Sequence, residues 1–285
     1  MARGAALVRT AALTTLAMIA FAGNSLLCRM ALRPALIDPG TFGSARVLSG
    51  AVALAVILRL GTRRAAAAPD WTAAAMLFAY VACFSFAYLS LSAGTGALIL
   101  FGAVQGTMLA AGLRAGERLG PAARGGLLLA VGGLLYLVSP GLSAPAPWGT
   151  ALMAGAGIAW GVYSLRGRGG GDPLARTAGN FARAVPMALV LSALTWSRSH
   201  ASGAGIALAV LSGALTSGAG YVIWYAALRG LSATRAAVVQ LSVPPIAVFG
   251  GALLLDERLS LRLIVASAAI LGGIGLVLIG RGRAG

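Results

Sequence analysis

The chain writes "GERLGPAARGGLLLAVGG" over residues 116–133 and "DERLSLRLIVASAAILGG" over residues 256–273. From Glu117 and Glu257 onward, Glu-Arg-Leu and the later Gly-Gly fall in one register, 140 residues apart in a chain of 285. A spacing of half the chain predicts an internal duplication. Other stretches match in the same order: "IDPGTFGSAR" ending at Arg46 with "GDPLARTAGNFAR" ending at Arg183, "YLSL" at Tyr88 with "YAAL" at Tyr225, and "GTGALI" at Gly94 with "SATRAAV" at Ser232. Chance supplies single matches readily in a sequence dominated by Ala, Gly and Leu. Their shared order is harder to obtain that way.

Composition places the duplicated unit in a membrane. Apolar residues make up 59% of the chain and charged residues only 10%, which excludes an ordinary water-soluble surface. A hydrocarbon layer about 30 Å thick needs roughly 20 apolar residues per helical crossing. Ten such stretches are present, at 10–31, 41–60, 71–91, 94–113, 121–139, 147–166, 177–196, 204–228, 233–255 and 261–280. Their length and continuity argue for helices, since barrel strands would be shorter and would alternate apolar with polar. The first stretch follows Arg3 and Arg9 in the manner of a signal peptide, but it continues through Met30 and is read as a retained span. Five stretches precede the loop "SPGLSAPAP" at 139–147 and five follow it. A unit with an odd number of crossings re-enters the membrane in the opposite sense. The expectation is therefore an all-α integral membrane protein of ten transmembrane helices in two inverted five-helix repeats, residues 1–140 and 147–285.

The net charge of +16 comes from 22 basic residues, all arginine, against six acids. The arginines stand singly in short loops and form no stripe, so they read as topology signals and not as a nucleic-acid surface. With the N-terminus in the cytoplasm, fifteen of them fall on the cytoplasmic side and five outside, as the positive-inside rule requires. Both termini are then cytoplasmic. Trp71, Trp148 and Trp196 fall at predicted helix ends, where an interfacial aromatic belt would place them. Cys28 and Cys83 lie inside predicted helices, with no Cys or His cluster to suggest a metal site or a disulfide framework.

"FAGNSLLCRMAL", then "DPGTFGSARVLSGAVAL", then two helices ending in Glu-Arg-Leu and leading into Gly-Gly helices, resemble the EamA-type branch of the drug/metabolite transporter superfamily over essentially the whole chain. The resemblance implies residence in a bacterial inner membrane and export or exchange of small metabolites by alternating access. Amino acids come first among these, with multidrug or other small-metabolite export as the alternative. The small-molecule substrate and the lipid bilayer are the implied partners, with a homodimer as an allowed assembly and no cofactor. This sequence departs from the family pattern twice. Helix 9 carries the expected proline as Pro244 and Pro245, whereas the equivalent point of helix 4 reads Gln105-Gly106, and helix 1 reads Gly23-Asn24 where many relatives have Trp-Gly.

Asp38-Pro39 and Asp172-Pro173 each read as an N-cap followed by proline at the first helical position. This register puts Arg46 eight residues into helix 2, about 12 Å along it, with Arg183 comparably deep in helix 7. Each arginine either faces the bundle interior, where it attracts a carboxylate or acts in a gate, or snorkels to the nearer interface. All six acids fall at helix ends or in loops, and the single histidine, His200, lies in a loop. Small multidrug relatives of this fold use a buried glutamate in the first helix. Here that region offers Gly23, Asn24 and Ser25, which disfavours proton coupling and favours uniport or exchange. Candidate substrate-binding residues near the predicted midplanes are Asn24, Ser25, Tyr80, Phe84, Gln105, Trp160, Tyr163, Tyr221, Trp224 and Gln240. For each amide the alternative is an interhelical hydrogen bond, and for each aromatic plain packing. Pro244 and Pro245 interrupt the helix 9 ladder and suggest a hinge. The small-xxx-small pairs Gly102/Gly106 and Gly157/Gly161 predict close helix contacts. No nucleophile-base pair, metal cluster or paired interior carboxylate supports a catalytic site, so an enzyme is not expected.

Overall fold

The computed structural model describes residues 2–61, 70–116, 120–141, 144–167, 172–228, 230–231 and 239–281. The helices are α1 (Ala2–Leu32), α2 (Pro39–Leu60), α3 (Trp71–Ala87), α4 (Ala93–Arg114), α5 (Pro121–Val138), α6 (Pro147–Arg166), α7 (Pro173–Leu194), α8 (Gly203–Leu228), α9 (Val243–Leu255) and α10 (Leu261–Arg281). Among the described residues there is no β-strand, only an isolated antiparallel bridge between Ile37 and Ala201. Six helices, α1, α2, α4, α5, α7 and α8, are long and apolar enough to cross a membrane. Three further segments, α3, α9 and the Leu261–Val277 part of α10, are shorter apolar helices. The chain is an all-helical, multi-pass membrane protein. Trp71, Trp148 and Trp196 are each more than half exposed at helix ends, as amphipathic rings at a lipid–water interface would be.

Local chemistry sets the helix starts. The carboxylates of Asp38, Asp70 and Asp172 accept from the amides of Thr41, Ala73 and Leu174, and the Ser92 and Ser202 hydroxyls accept from those of Thr95 and Gly205. Proline follows the cap in α2, α5, α6 and α7, where its missing N–H removes no helical bond. Asp38 is an N-cap as read, and the α2 register that places Arg46 follows from it.

The two stretches that carry the repeated motif become α5 and α10, and these pack against each other. Gly126 lies against the Gly273 carbonyl and Val277, while Gly133 lies against Ala269 and Ile270. Rising numbers on α5 meet falling numbers on α10, so the pair is antiparallel. One glycine of each Gly-Gly pair makes this contact; Gly125, Gly132 and Gly272 face open space. The Glu117-Arg118-Leu119 copy lies outside the described residues, as do Ser232–Val238.

Other pairs follow the same logic. Helix α2 runs antiparallel to α7, with Gly40 against Thr195, Ser44 donating to the Ala188 carbonyl at 2.7 Å, and Gly50 against Phe181. Helix α3 runs antiparallel to α6, from Ser90 against Gly149 to Asp70 against Arg166. Helix α1 runs antiparallel to α8, from Asn24 against Ser212 to Phe21 against Trp224. Gly157 and Gly161 do provide the close contact expected of them, against Leu100–Ala103 and Thr107 of α4. The Gly102/Gly106 expectation is corrected. Gly106 is exposed with open space beside it, and Gly102 meets only Ile270 at 3.9 Å, because Ala103 and Thr107 are the small residues of α4 that turn toward α6.

At one end of the bundle, the connections are tied together. Arg29 of α1 pairs with Glu257 at 3.3 Å and donates to the Tyr88 carbonyl at 2.8 Å, while Glu257 accepts from the Ala93 amide at 2.8 Å. Arg33 donates to the Leu255 carbonyl, and Arg262 to the Ser139 carbonyl while lying over the Tyr136 ring. At the opposite end, Arg166 of α6 grips Asp70 at the start of α3 through Nε and Nη2 at 3.0–3.2 Å.

Candidate functional site

The buried face of α2 comprises Gly40, Phe42, Gly43, Arg46, Val47, Gly50 and Leu54. Arg46 therefore points into the bundle and is 1% exposed, which overturns the snorkelling alternative for this residue. Its surroundings compensate the charge only in part. Nη2 donates to the Tyr80 hydroxyl at 3.0 Å and Nε to the Ser217 hydroxyl at 3.3 Å, and the guanidinium carbon sits 5.2 and 4.9 Å from the ring centroids of Tyr80 and Phe84. Nη1 is buried with no hydrogen-bond partner. Among the described residues no carboxylate pairs with Arg46. A guanidinium at this depth is costly unless paired, and the two ring faces offset part of that cost by cation–π attraction.

The rings under Arg46 open a chain of aromatic contacts that crosses between the two halves of the sequence. Tyr80 packs on Phe84 at 5.3 Å and on Trp160 at 5.0 Å. Trp160 stacks on Tyr163 at 5.3 Å and meets Tyr221 at 5.4 Å, and Tyr221 in turn meets Phe21 and Phe181 at 6.0 Å. Phe21 also contacts Trp224 at 5.8 Å. Six of the predicted residues, Tyr80, Phe84, Trp160, Tyr163, Tyr221 and Trp224, thus belong to one cluster contributed by α3, α6 and α8. Beside it, the Thr177 hydroxyl of α7 donates to the Pro173 carbonyl and lies 3.2 Å from the Tyr225 hydroxyl.

Asn24 is buried beside this cluster, and its carbonyl oxygen accepts three hydroxyls, from Ser212 at 2.9 Å, Thr216 at 2.6 Å and Ser217 at 3.3 Å. All three come from Leu211–Ala219, where α8 winds as a π-helix. Ser217 is the link between the polar and cationic parts, since it also accepts from Arg46. Ser25 is buried as well, at 2% exposure. The sequence reading missed Ser212, Thr216, Ser217, Phe21 and Phe181. Ser212 and Thr216 are four residues apart and share a helix face, which is a findable signal; Ser217 joins them only because i→i+5 winding brings it round.

Of the remaining predicted residues, Gln105, Arg183, Pro244 and Pro245 lie outside these aromatic and hydroxyl contacts. Gln105 is half-buried on α4 and makes no hydrogen bond among the described residues. Gln240 is half-buried in a helical turn next to undescribed chain. Arg183 is only half-buried, because the inward face of α7 is taken by Asn180, Phe181, Ala184 and Ala188. Pro244 and Pro245 lie in the first turn of α9, after the chain turns at Leu241–Ser242. The helical winding at Val239–Gln240 is interrupted there, and α9 starts afresh. A cavity of about 240 Å³ opens at the Glu257 end between Ser90, Ser92, Thr95, Arg258 and Ser260, and no predicted site residue lines it.

Outside the spans, two carboxylates are held below the usual range. For Asp38, burial acts to raise the pKa, but bonds from Thr41 and the amides of His200 and Gly40 outweigh it. Asp70 is lowered chiefly by its bonds to Arg166, then by the Ala73 amide.

Comparison with known proteins agrees with this architecture. A family model described as the EamA-like transporter family matches residues 147–279, which is α6 through most of α10. The chain is 57% identical over 278 residues to a Pseudomonas aeruginosa protein designated "Uncharacterized protein PA1977", covering 97% of each chain. A crystallised protein shares the fold with a TM-score of 0.62 at 18% identity, covering 92% of this chain and 98% of that one. With its all-helical bundle, its cluster between the halves and these matches, the chain belongs to the EamA-like transporter family.

Proposed function

We propose that this protein carries a small metabolite, an amino acid first among the candidates, across a bacterial inner membrane by rocking two inverted five-helix repeats about the Arg46–aromatic cluster. Residues 1–140 and 147–285 form the repeats, with both termini in the cytoplasm. The observation that carries the reading is the cluster itself. Its cation, hydroxyls and rings are drawn from α1, α2, α3, α6 and α8, so any relative motion of the halves opens or closes it. Packing supports the duplication. Under exchange of each helix for the one five later, the antiparallel pairs α1–α8 and α3–α6 interchange, while α2–α7 and α5–α10 map onto themselves. The family match to α6–α10 alone is consistent with a unit of that size.

Facilitated or exchange transport fits better than proton coupling. Among the described residues every acid lies at a helix cap or in a connection: Asp38, Asp70, Asp172, Asp256 and Glu257. Uptake of a radiolabelled amino-acid panel into liposomes holding only this protein, with and without an imposed pH gradient, tests the reading. Saturable uptake indifferent to the gradient is expected. Uptake that requires the gradient removes the uniport reading, and export of cationic dyes in place of amino acids moves the multidrug alternative forward.

A further inference from the structure

The least satisfied group in the bundle is the Arg46 guanidinium. It is 1% exposed, no described carboxylate pairs with it, and Nη1 is buried with no partner. Protein interiors leave a cation in that state rarely, because an unpaired buried donor forfeits its solvation. The two hydroxyls that do reach it are neutral, and the rings of Tyr80 and Phe84 attract its charge without filling its donors. What Nη1 requires is an acceptor, and a guanidinium prefers a planar anion that takes two N–H bonds at once. Around the guanidinium lie the Ser217 hydroxyl, the rings of Tyr80 and Phe84 and, one ring further, Trp160. They suit a flat or bulky apolar body and offer no counter-charge for a cation.

We propose that Arg46 is the residue that reads the substrate, binding its carboxylate through Nη1, so that the protein selects monocarboxylate metabolites with an apolar or aromatic body and rejects their uncharged amides and esters. This rests on the transport reading above and names the substrate class of the same site. Access follows from the geometry. Arg46 and Tyr80 belong to the first half and Ser217 to the second, so separating α8 from α2 breaks the Ser217 bond and uncovers the guanidinium as the substrate arrives. A selectivity filter of this kind needs no proton carrier.

Matched pairs decide it. L-phenylalanine and 3-phenylpropionate carry the carboxylate; phenylalaninamide and the uncharged 3-phenylpropionamide carry the same bodies with an amide in its place. Each is titrated against the purified wild-type protein by tryptophan fluorescence and assayed for liposome uptake, in chloride and again in chloride-free sulfate buffer. The proposal expects the two carboxylates to bind and the other two to bind at least about 10- to 100-fold more weakly, as loss of a charge-assisted pair implies. Arg46→Gln should erase that discrimination, and Arg46→Lys should restore part of it. Equal binding of acid and amide by wild type overturns the proposal while leaving transport intact, and so does discrimination retained in Arg46→Gln. Carboxylate binding that needs chloride also overturns it, since Arg46 then holds the halide. Carboxylate-selective binding without uptake upholds the Arg46 assignment and sinks the transport reading instead. If no carboxylate binds, the assignment fails. Comparison of the wild-type pairs requires no variant to fold.

Discussion

A single acceptor, the carbonyl oxygen of Asn24, collects three hydroxyls from α8. Replacing Asn24 with alanine leaves Ser212, Thr216 and Ser217 without that acceptor in a buried setting. Ser212 and Thr216 are 0% and 7% exposed, so water cannot substitute freely. Thr216 also donates to the Ser212 carbonyl, which softens the loss. The expected cost is about 1–3 kcal/mol, read as a lower Tm in detergent, and Asn24→Ser should recover part of it. An unchanged Tm in Asn24→Ala would mean that this hub does not hold α1 to α8. Asn24 stood out in the sequence as an amide in an apolar run. Its partners stood out less: the four-residue spacing of Ser212 and Thr216 marks a shared face, but a serine or threonine in a membrane helix satisfies itself on its own backbone as easily as on a neighbour.

Helices here are positioned by close glycine contacts and by their caps. A Cβ on Gly213 would lie 2.0 Å from the Ser49 hydroxyl and 2.1 Å from the Arg46 carbonyl oxygen. The second is backbone, so Gly213→Ala must push α2 and α8 apart, at a cost of about 1–3 kcal/mol. It should also disturb the Arg46–Ser217 contact. Gly106→Ala, with nothing within 4 Å, is the control; it should be neutral or stabilise by about 0.5–1 kcal/mol through helix propensity. Melting both variants side by side tests the packing, and equal Tm values would refute it. The caps carry a pH signature. Asp38 and Asp70 both have lowered folded pKa values, so each stabilises the fold above the ordinary carboxylate range. That contribution drains away as pH falls from that range through the lowered folded value. A Tm profile flat at neutral pH with an acid limb is expected, and the Asp38→Asn, Asp70→Asn double variant should lower the plateau and flatten the limb. Since Asp70 and Arg166 are partly exposed, salt should weaken their share. Cap positions were legible because an Asp-Pro step acts on its own first turn. The Pro244-Pro245 restart was half legible: proline announces a break, but the backbone on its N-terminal side decides between kink and new helix.

For the molecule as a whole, the proposal that the halves rock predicts that fastening them stops transport. Ser44 of α2 and Ser192 of α7 approach to 2.7 Å between hydroxyl oxygens, so cysteines at both positions point at each other and fall within reach of a disulfide. Oxidised Ser44→Cys, Ser192→Cys protein should lose at least about 90% of uptake if rocking is obligatory, and reductant should restore it. Undiminished uptake by the crosslinked form would end the rocking proposal. Native Cys28 is buried and Cys83 half-buried, which keeps the engineered pair the favoured one to oxidise.

What the amino-acid sequence determined by itself was whatever depends on length and on local chemistry. Apolar runs of spanning length, Asp-Pro starts and the 140-residue recurrence of Glu-Arg-Leu and Gly-Gly are one-dimensional facts, and they suffice for a multi-pass helical bundle and its family. Tertiary structure decided which side of each helix looks inward. A helix that is apolar all round carries no stripe to orient it, so periodicity could not tell Arg46, fully buried, from Arg183, half-buried after the second Asp-Pro start. Nor could it show Gln105 standing outside the hydrogen-bonded cluster, or Ser217 entering it through a π turn. Rotation about the helix axis is settled by glycine contacts between helices far apart in sequence, and only the folded bundle brings them together.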